Sequence, residues 1–243
     1  MSPVVILETV RRHVTHIGYL TFLALLVLAA FATSVFDRPA AAWPGLLVLL
    51  AFVTGCGVVG PEFSSGTLQL ILVKPVNRAV YLVSRVTGVV LVVWLAGIVA
   101  ALCELAGRAL WGDSGLQARA IGTALLNCAT DTILTVSFLA LLGSLTRAYF
   151  NIGIYLVGLI GLGLSSVVFA FIRQTDNAVG RFLKAHTGIE RGLMVIDRNL
   201  YPDLPVPPRF DTGWTLMVLS NAAIALLLAC LAFRRREVPY GAD

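Results

Sequence analysis

Charged residues are spaced along this chain so that long apolar stretches separate them. The interval between Arg12 and Asp37 holds 24 uncharged residues, and that between Arg147 and Arg173 holds 25. A helix that crosses the ~30 Å hydrocarbon layer of a bilayer needs about 20 such residues. Six intervals are long enough, although Asp131 interrupts one of them, and they predict six membrane-spanning helices. The predicted spans are residues 17–36, 42–59, 82–104, 120–143, 149–172 and 213–233.

Composition agrees with this pattern. The 243 residues include 18 basic and 13 acidic side chains, so 13% are charged, and 58% are hydrophobic. Soluble domains average about 25% charged residues. These values exclude a disordered protein, a nucleic-acid-binding domain with a basic surface and almost any soluble enzyme. We therefore expect an all-α polytopic membrane protein, embedded in the lipid bilayer as a single six-span domain over residues 1–243.

The distribution of Lys and Arg predicts the orientation of the spans. Cytoplasmic loops carry an excess of these residues. Placing both termini in the cytoplasm puts nine cations on each side, but six of the outer nine lie in the long segment over residues 173–213 and three in the short outer loops. Arg234, Arg235 and Arg236, directly after the last span, are the best single support for cytoplasmic termini.

The first residues have the pattern of an amphipathic helix rather than of a span. Within residues 1–16, apolar side chains recur at helical spacing and alternate with charged ones. The apolar members are Val4, Ile6, Leu7, Val10 and Val14, and the charged members are Glu8, Arg11 and Arg12. Such a helix is expected to lie along the inner leaflet of the membrane.

The segment over residues 61–78, on the predicted cytoplasmic side, holds the pattern of a second short helix. Ser64, Ser65 or Thr67 could cap it, and Pro75 would stop it. Its apolar face would consist of Leu68, Ile71 and Leu72. Asn77 is placed to cap the third span. The residues alone leave two interpretations open: a helix that another protein can push, or a tight turn resting on the membrane surface.

The same segment resembles a known sequence signature. Glu62 is followed by Gly66-Thr67-Leu68, by Leu72, by Pro75-Val76 with Arg78, and by the basic residue Arg85. This order resembles the pattern E-x3-GTL, leucine, P-V/L-x-R and a later basic residue, usually lysine, of ABC-2 type transporter permeases. The close match covers about 25 residues. The six spans, the N-terminal amphipathic helix and the basic C-terminus extend the resemblance along the chain.

The resemblance implies a function and a set of partners. In that family the segment forms a coupling helix that a separate cytoplasmic ABC ATPase subunit grips. This implies an exporter subunit in the bacterial inner membrane, acting as a homodimer, with ATP and Mg²⁺ held by the ATPase and no catalytic residue in this chain. The ATPase-coupling residues implied are Glu62, Gly66, Thr67, Leu68, Leu72, Pro75, Arg78 and Arg85.

Motifs for nucleotide or metal binding do not offer another explanation. The chain has no G-x4-G-K-[ST] sequence, so an ATP-driven process would need another chain. Gly55-Cys56-Gly57-Val58-Val59-Gly60 matches G-x-G-x-x-G. It lacks the strand and the later acidic residue that a dinucleotide site requires. We interpret its small residues as a close contact between helices. No pair of cysteines has metal-ligand spacing.

Polar residues recur at four-residue spacing along the fourth predicted span: Thr123, Asn127, Asp131 and Thr135. A carboxylate in mid-membrane costs about 2.5–3.5 kcal/mol, so Asp131 should face protein or water. Two interpretations of Asp131 stay open. It could contact substrate or carry a proton, or it could be a buried acid hydrogen-bonded to neighbouring hydroxyl groups.

The segment over residues 173–213 is too long for a simple turn. Asp176 or Asn177 could cap one helix, the Thr187-Gly188 pair would end it, and Ile189, Leu193 and Ile196 suggest a second. By the same resemblance, these would be short outer helices near the exit of the pathway. An extracytoplasmic partner docking here has no residue-level support.

Two further functions compete with the exporter. The same architecture could transmit mechanical work to an extracytoplasmic partner without moving a solute. A self-sufficient six-span channel or intramembrane enzyme would need a re-entrant filter or paired ionisable groups, and the pattern offers only Asp131. The sequence does not specify a cargo.

Overall fold

The computed structural model describes residues 1–35, 43–58, 77–111, 117–146, 150–174, 187–201, 204 and 210–235. In this part of the chain every regular element is an α-helix. The helices are α1 (Pro3–Val14), α2 (Ile17–Val35), α3 (Trp43–Cys56), α4 (Arg78–Trp111), α5 (Gln117–Leu145), α6 (Phe150–Gln174), α7 (Thr187–Leu200) and α8 (Thr212–Arg235).

Four of the described helices are long and apolar enough to cross a membrane. They comprise Ile17–Val35, Arg78–Leu110, Ala118–Leu145 and Thr212–Arg235. Two shorter apolar stretches, Trp43–Cys56 and Phe150–Leu162, coincide with the second and fifth predicted spans. The all-helical fold is therefore confirmed among the described residues, with four helices that could span a membrane, and a total of six spans stays a prediction.

The ends of α4 differ from the predicted span of residues 82–104. The helix begins at Arg78 and continues to Trp111, which makes it 34 residues long. The prediction ended the span at Glu104 because a charge normally marks a membrane boundary. In the structure Glu104 pairs with Arg108 one turn later, so the two charges neutralise each other and the helix continues past both.

Helix α4 is the central element of the larger packing unit. It packs against α1, α2, α3, α5 and α8. The middle of its buried face consists of small or β-branched residues such as Val89, Val93, Ala96 and Ala100. Lipid tails are as apolar as these side chains, so close backbone approach, rather than exclusion of water, holds such helices together. Gly97 illustrates this approach, because a Cβ there would lie 2.8 Å from Leu47 Cδ2.

The interpretation of Gly55 as a close helix contact is confirmed. A Cβ at this residue would lie 2.8 Å from Leu139 Cδ1 and 3.6 Å from Val136 Cα, so α3 and α5 meet where Gly55 has no side chain. Gly60, the last glycine of the same motif, lies outside the described residues.

The amphipathic first helix is present as α1, and one of its faces packs on α4. Thr9 on that face is buried, whereas Val4 and Leu7 on another are 74% and 71% exposed. An exposed apolar face agrees with a helix at a membrane surface. Its position along the inner leaflet stays a prediction, as does the cytoplasmic location of the termini.

The chain divides into two compact units. One comprises Met1–Asn151 with Leu204–Asp243, and the other comprises Ile152–Asp203. In the smaller unit the Tyr201 ring packs edge-on against Tyr155 with centroids 5.0 Å apart, and the Tyr201 hydroxyl donates to the Tyr155 carbonyl at 3.2 Å.

The contacts of Tyr201 bear on the predicted outer helices. The second predicted outer helix is present as α7. Tyr201, directly after α7, contacts Tyr155 in the second turn of α6. The segment over residues 173–213 is thus not confined to the C-terminal end of α6. The first predicted outer helix and Pro205–Pro208 lie outside the described residues.

Candidate functional site

Most of the predicted coupling segment, including Glu62, Gly66, Thr67, Leu68, Leu72 and Pro75, lies outside the described residues. Its end is described, and it confirms the predicted cap of the third span. The Asn77 side-chain oxygen accepts from the backbone N–H of Ala79 at 3.0 Å, and the Asn77 carbonyl accepts from Tyr81 N–H at 3.0 Å. This is the hydrogen bonding of an N-cap residue. Helix α4 therefore begins at Arg78, where the segment ends.

Arg85 lies inside the protein rather than on an open surface. It is 7% exposed, and its Nη1 donates to the Thr9 hydroxyl of α1 at 3.2 Å. One residue earlier, the Ser84 hydroxyl accepts from the backbone N–H of Ser2 at 2.8 Å. The resemblance assigned Arg85 to ATPase coupling, and the structure places it in the contact between α1 and α4.

Gly88 completes this contact one turn further along α4. A Cβ at this residue would lie 2.7 Å from Thr9 Cβ and 3.3 Å from the Ile6 carbonyl oxygen. The absence of a side chain thus permits α1 to rest on α4 at van der Waals distance. Sequence reasoning missed the pairing of Thr9 with Gly88, because a small residue in a valine-rich span does not indicate which helix it meets.

His13 lies at the C-terminal end of α1, next to the same contact. Its Nδ1 donates to the Thr9 carbonyl at 2.8 Å. Burial lowers the pKa of His13 most strongly, the Thr9 hydrogen bond opposes this, and electrostatic repulsion from Arg85, Arg12 and His16 lowers the pKa further. The neutral imidazole is therefore the form that fits the docked helix.

The polar stripe is mostly buried, as Asp131 led us to expect. Asn127, Asp131 and Thr135 are 3%, 5% and 5% exposed. Thr123 is only half-buried, and its hydroxyl donates to the Arg119 carbonyl at 2.8 Å. Three of the four residues therefore face the interior of the larger unit.

Asp131 is not held by the hydroxyl groups beside it on α5. Thr130 donates to the Leu126 carbonyl and Thr132 donates to the Cys128 carbonyl, each over one helical turn. Within the described part of the chain, no hydrogen bond or ion pair joins the Asp131 carboxylate to another residue. The structural interpretation of Asp131 as a hydrogen-bonded buried acid therefore finds no support among these residues.

A second buried carboxylate, which sequence reasoning did not single out, belongs to a polar cluster. Glu104 is 1% exposed, and its Oε1 accepts from Arg108 Nε at 3.0 Å and from Arg108 Nη2 at 2.9 Å. Its Oε2 accepts from Trp43 Nε1 at 2.6 Å. The cluster joins the first residue of α3 to the last third of α4. Its sequence signal was the spacing of Glu104 and Arg108, which places them on one helix face.

A cavity of about 260 Å³ lies where α1 turns into α2. His13 and His16 line one part of it, and Phe22 of α2 with Leu50 and Val53 of α3 line another. Among the described residues, no group of three His, Cys, Asp or Glu side chains could hold a metal ion.

Comparison with known proteins gives this chain no family. No family model matches it. No curated protein matches it either.

Proposed function

We propose that this chain is the membrane-spanning permease subunit of an ABC-2 type exporter, driven by a separate cytoplasmic ATPase. The observation that carries the proposal is the match of Glu62, Gly66-Thr67-Leu68, Pro75 and Arg78 to that family's pattern. The all-helical architecture, with an amphipathic helix before the first long apolar helix, is compatible with it.

The route from the ATPase into the membrane runs through α4. When the ATPase subunits close, they displace residues 61–78, and the Asn77 cap ties that segment to the first turn of α4. Because α4 packs against α1, α2, α3, α5 and α8, a tilt of this one helix reaches each of them. Packed helices shift between discrete arrangements rather than deforming continuously.

The active assembly is a homodimer of this chain with two ATPase subunits, in the bacterial inner membrane, with both termini of the permease in the cytoplasm. Six spans, formed by α2, α3, α4, α5, α6 and α8, constitute each half. Alternate exposure of a path between the two halves moves the cargo outward.

Co-purification from the native host tests the proposed partner. Affinity-tagged wild-type chain should bring down an ABC ATPase, and Arg78→Glu should lose at least half of it because the reversed charge lies on the coupling segment. Arg119→Glu is a matched control, since Arg119 is an exposed arginine in the first turn of α5. An acid in a first turn is favourable to a helix, so neither variant should unfold. An absent ATPase, or equal loss in both variants, would contradict the proposal.

Reconstitution separates the exporter from a mechanical transmitter. Vesicles that contain the permease and its ATPase should lose or accumulate solute only when ATP is present on the ATPase side. ATP hydrolysis without movement of any solute tested would favour the mechanical transmitter instead.

A further inference from the structure

The cavity beside α1 has two chemically different ends. Phe22, Leu50 and Val53 form apolar walls between the first turns of α2 and the last turns of α3. His13 and His16 line the other end, in α1 and in the turn before α2. The volume of about 260 Å³ is near the lower limit for a small-molecule site, so it suits part of an elongated ligand rather than a whole bulky one.

The position of the cavity along the spans matches the edge of a bilayer. The candidate span of α2 begins at Ile17, directly after His16. Val53, on the opposite wall, is 48% exposed, so the apolar part opens outward at a depth where hydrocarbon surrounds the helices. For a span that begins at Ile17, this places the histidine end at headgroup level and the apolar end at acyl-chain level.

Charge at the histidine end is positive. Arg12, His16 and Arg85 are all close enough to His13 to affect its titration. Arg234 and Arg235 lie at the same end of the larger unit, since Phe233 packs in one hydrophobic cluster with Tyr81 at the start of α4 and with Val5 of α1. Among the described residues of this unit, Glu8 is the acidic side chain at that end.

From these observations we propose that the cavity binds an anionic phospholipid, with one acyl chain along Phe22, Leu50 and Val53 and the phosphate at the end lined by His13 and His16. Arg12, next to His13 in the chain, attracts the phosphate from outside the cavity lining. The acyl chain gains little by leaving the surrounding lipid, because both environments are apolar. Selectivity must therefore come from the headgroup, and it should favour phosphatidylglycerol over the zwitterionic phosphatidylcholine. This site is independent of the proposed ATPase partner.

The test is lipid retention by the purified full-length chain. Protein equilibrated with equal amounts of phosphatidylglycerol and phosphatidylcholine is transferred to detergent, and native mass spectrometry counts the lipids that stay bound. We expect one retained phosphatidylglycerol per chain. Arg12→Gln should weaken retention about fivefold, since one basic residue near an anionic surface is removed.

Two tryptophan variants test the cavity itself. Val53→Trp should fill it and abolish retention, whereas Leu49→Trp, one turn earlier on α3 and 45% exposed, should leave retention unchanged. Equal retention of the two lipids by the wild-type chain would overturn the proposal. Equal retention of phosphatidylglycerol by the two tryptophan variants would overturn it as well. So would a Val53→Trp variant that disrupts a dimer of the chain but retains the lipid, because Val53 would then lie in a protein interface rather than in a lipid site.

Discussion

At the scale of single residues, the two buried carboxylates have opposite environments. Glu104 accepts three hydrogen bonds from Arg108 and Trp43. Asp131 has no such bond or ion pair among the described residues. Burial costs both groups solvation, and only Glu104 recovers it from partners. Neutral variants of the two should therefore affect stability in opposite directions.

Glu104→Gln should destabilise the protein by about 3–5 kcal/mol, because it removes the negative charge that is paired with the buried Arg108 guanidinium. Thermal unfolding in detergent measures this. The double variant Glu104→Leu/Arg108→Leu is the control, and it should lose less because it leaves no uncompensated charge. An unchanged midpoint for Glu104→Gln would show that the pair contributes nothing.

Asp131→Asn should leave the free energy of unfolding unchanged or raise it by up to about 1–3 kcal/mol, because it removes a buried carboxylate that has no described partner. The same unfolding assay measures it. If transport is lost in this stable variant, Asp131 acts on the substrate or on a proton. A drop in stability like that of Glu104→Gln would instead reveal a structural role.

At the scale of helices, the contact between α1 and α4 depends on Gly88. Gly88→Ala should separate the two helices, because its Cβ would meet Thr9 Cβ at 2.7 Å. Faster amide hydrogen exchange over residues 3–14 would report the separation. Gly122→Ala is the control, since a Cβ there has nothing within 4 Å. It should stabilise α5 by about 0.5–1 kcal/mol. Unchanged exchange in Gly88→Ala would contradict the close contact.

The docking of α1 should also depend on pH. The pKa of His13 is lowered from 6.5 in the folded chain, chiefly by burial and also by Arg85, Arg12 and His16. The unfolded state thus binds the proton more readily, so docking is fully stabilised above pH ~6.5 and weakens as the pH falls below it. A spin label at the exposed Leu7 should become more mobile on acidification. His13→Gln should remove that pH dependence, and its persistence in the variant would exclude His13 as the cause.

The sequence predicted these elements unequally, for physical reasons. Charge spacing located α2, α5 and α8 because lipid excludes isolated charges. It did not predict that α4 continues past Glu104, where Glu104 and Arg108 neutralise each other. Asn77 was predictable because capping is local. The packing of Thr9 on Gly88 was not, since an amphipathic pattern identifies a face and not the helix that covers it.

At the scale of the whole molecule, positive charge collects at the end where α1, the start of α4 and the end of α8 meet. Their contacts bring Arg85 beside Thr9 and Phe233 into one cluster with Tyr81. This is also the end to which residues 61–78 connect. The proposed ATPase and the proposed anionic lipid would therefore act at the same end of the larger unit.

The central claim is that a separate ATPase engages the segment over residues 61–78. Photo-crosslinking in the native host tests it most directly, with a photoreactive amino acid placed at Leu68 or, as a control, at the exposed Leu227 of α8. The account predicts a covalent adduct with an ABC ATPase from Leu68 and none from Leu227. Absence of an ATPase adduct at Leu68, or equal adducts from both positions, would contradict it.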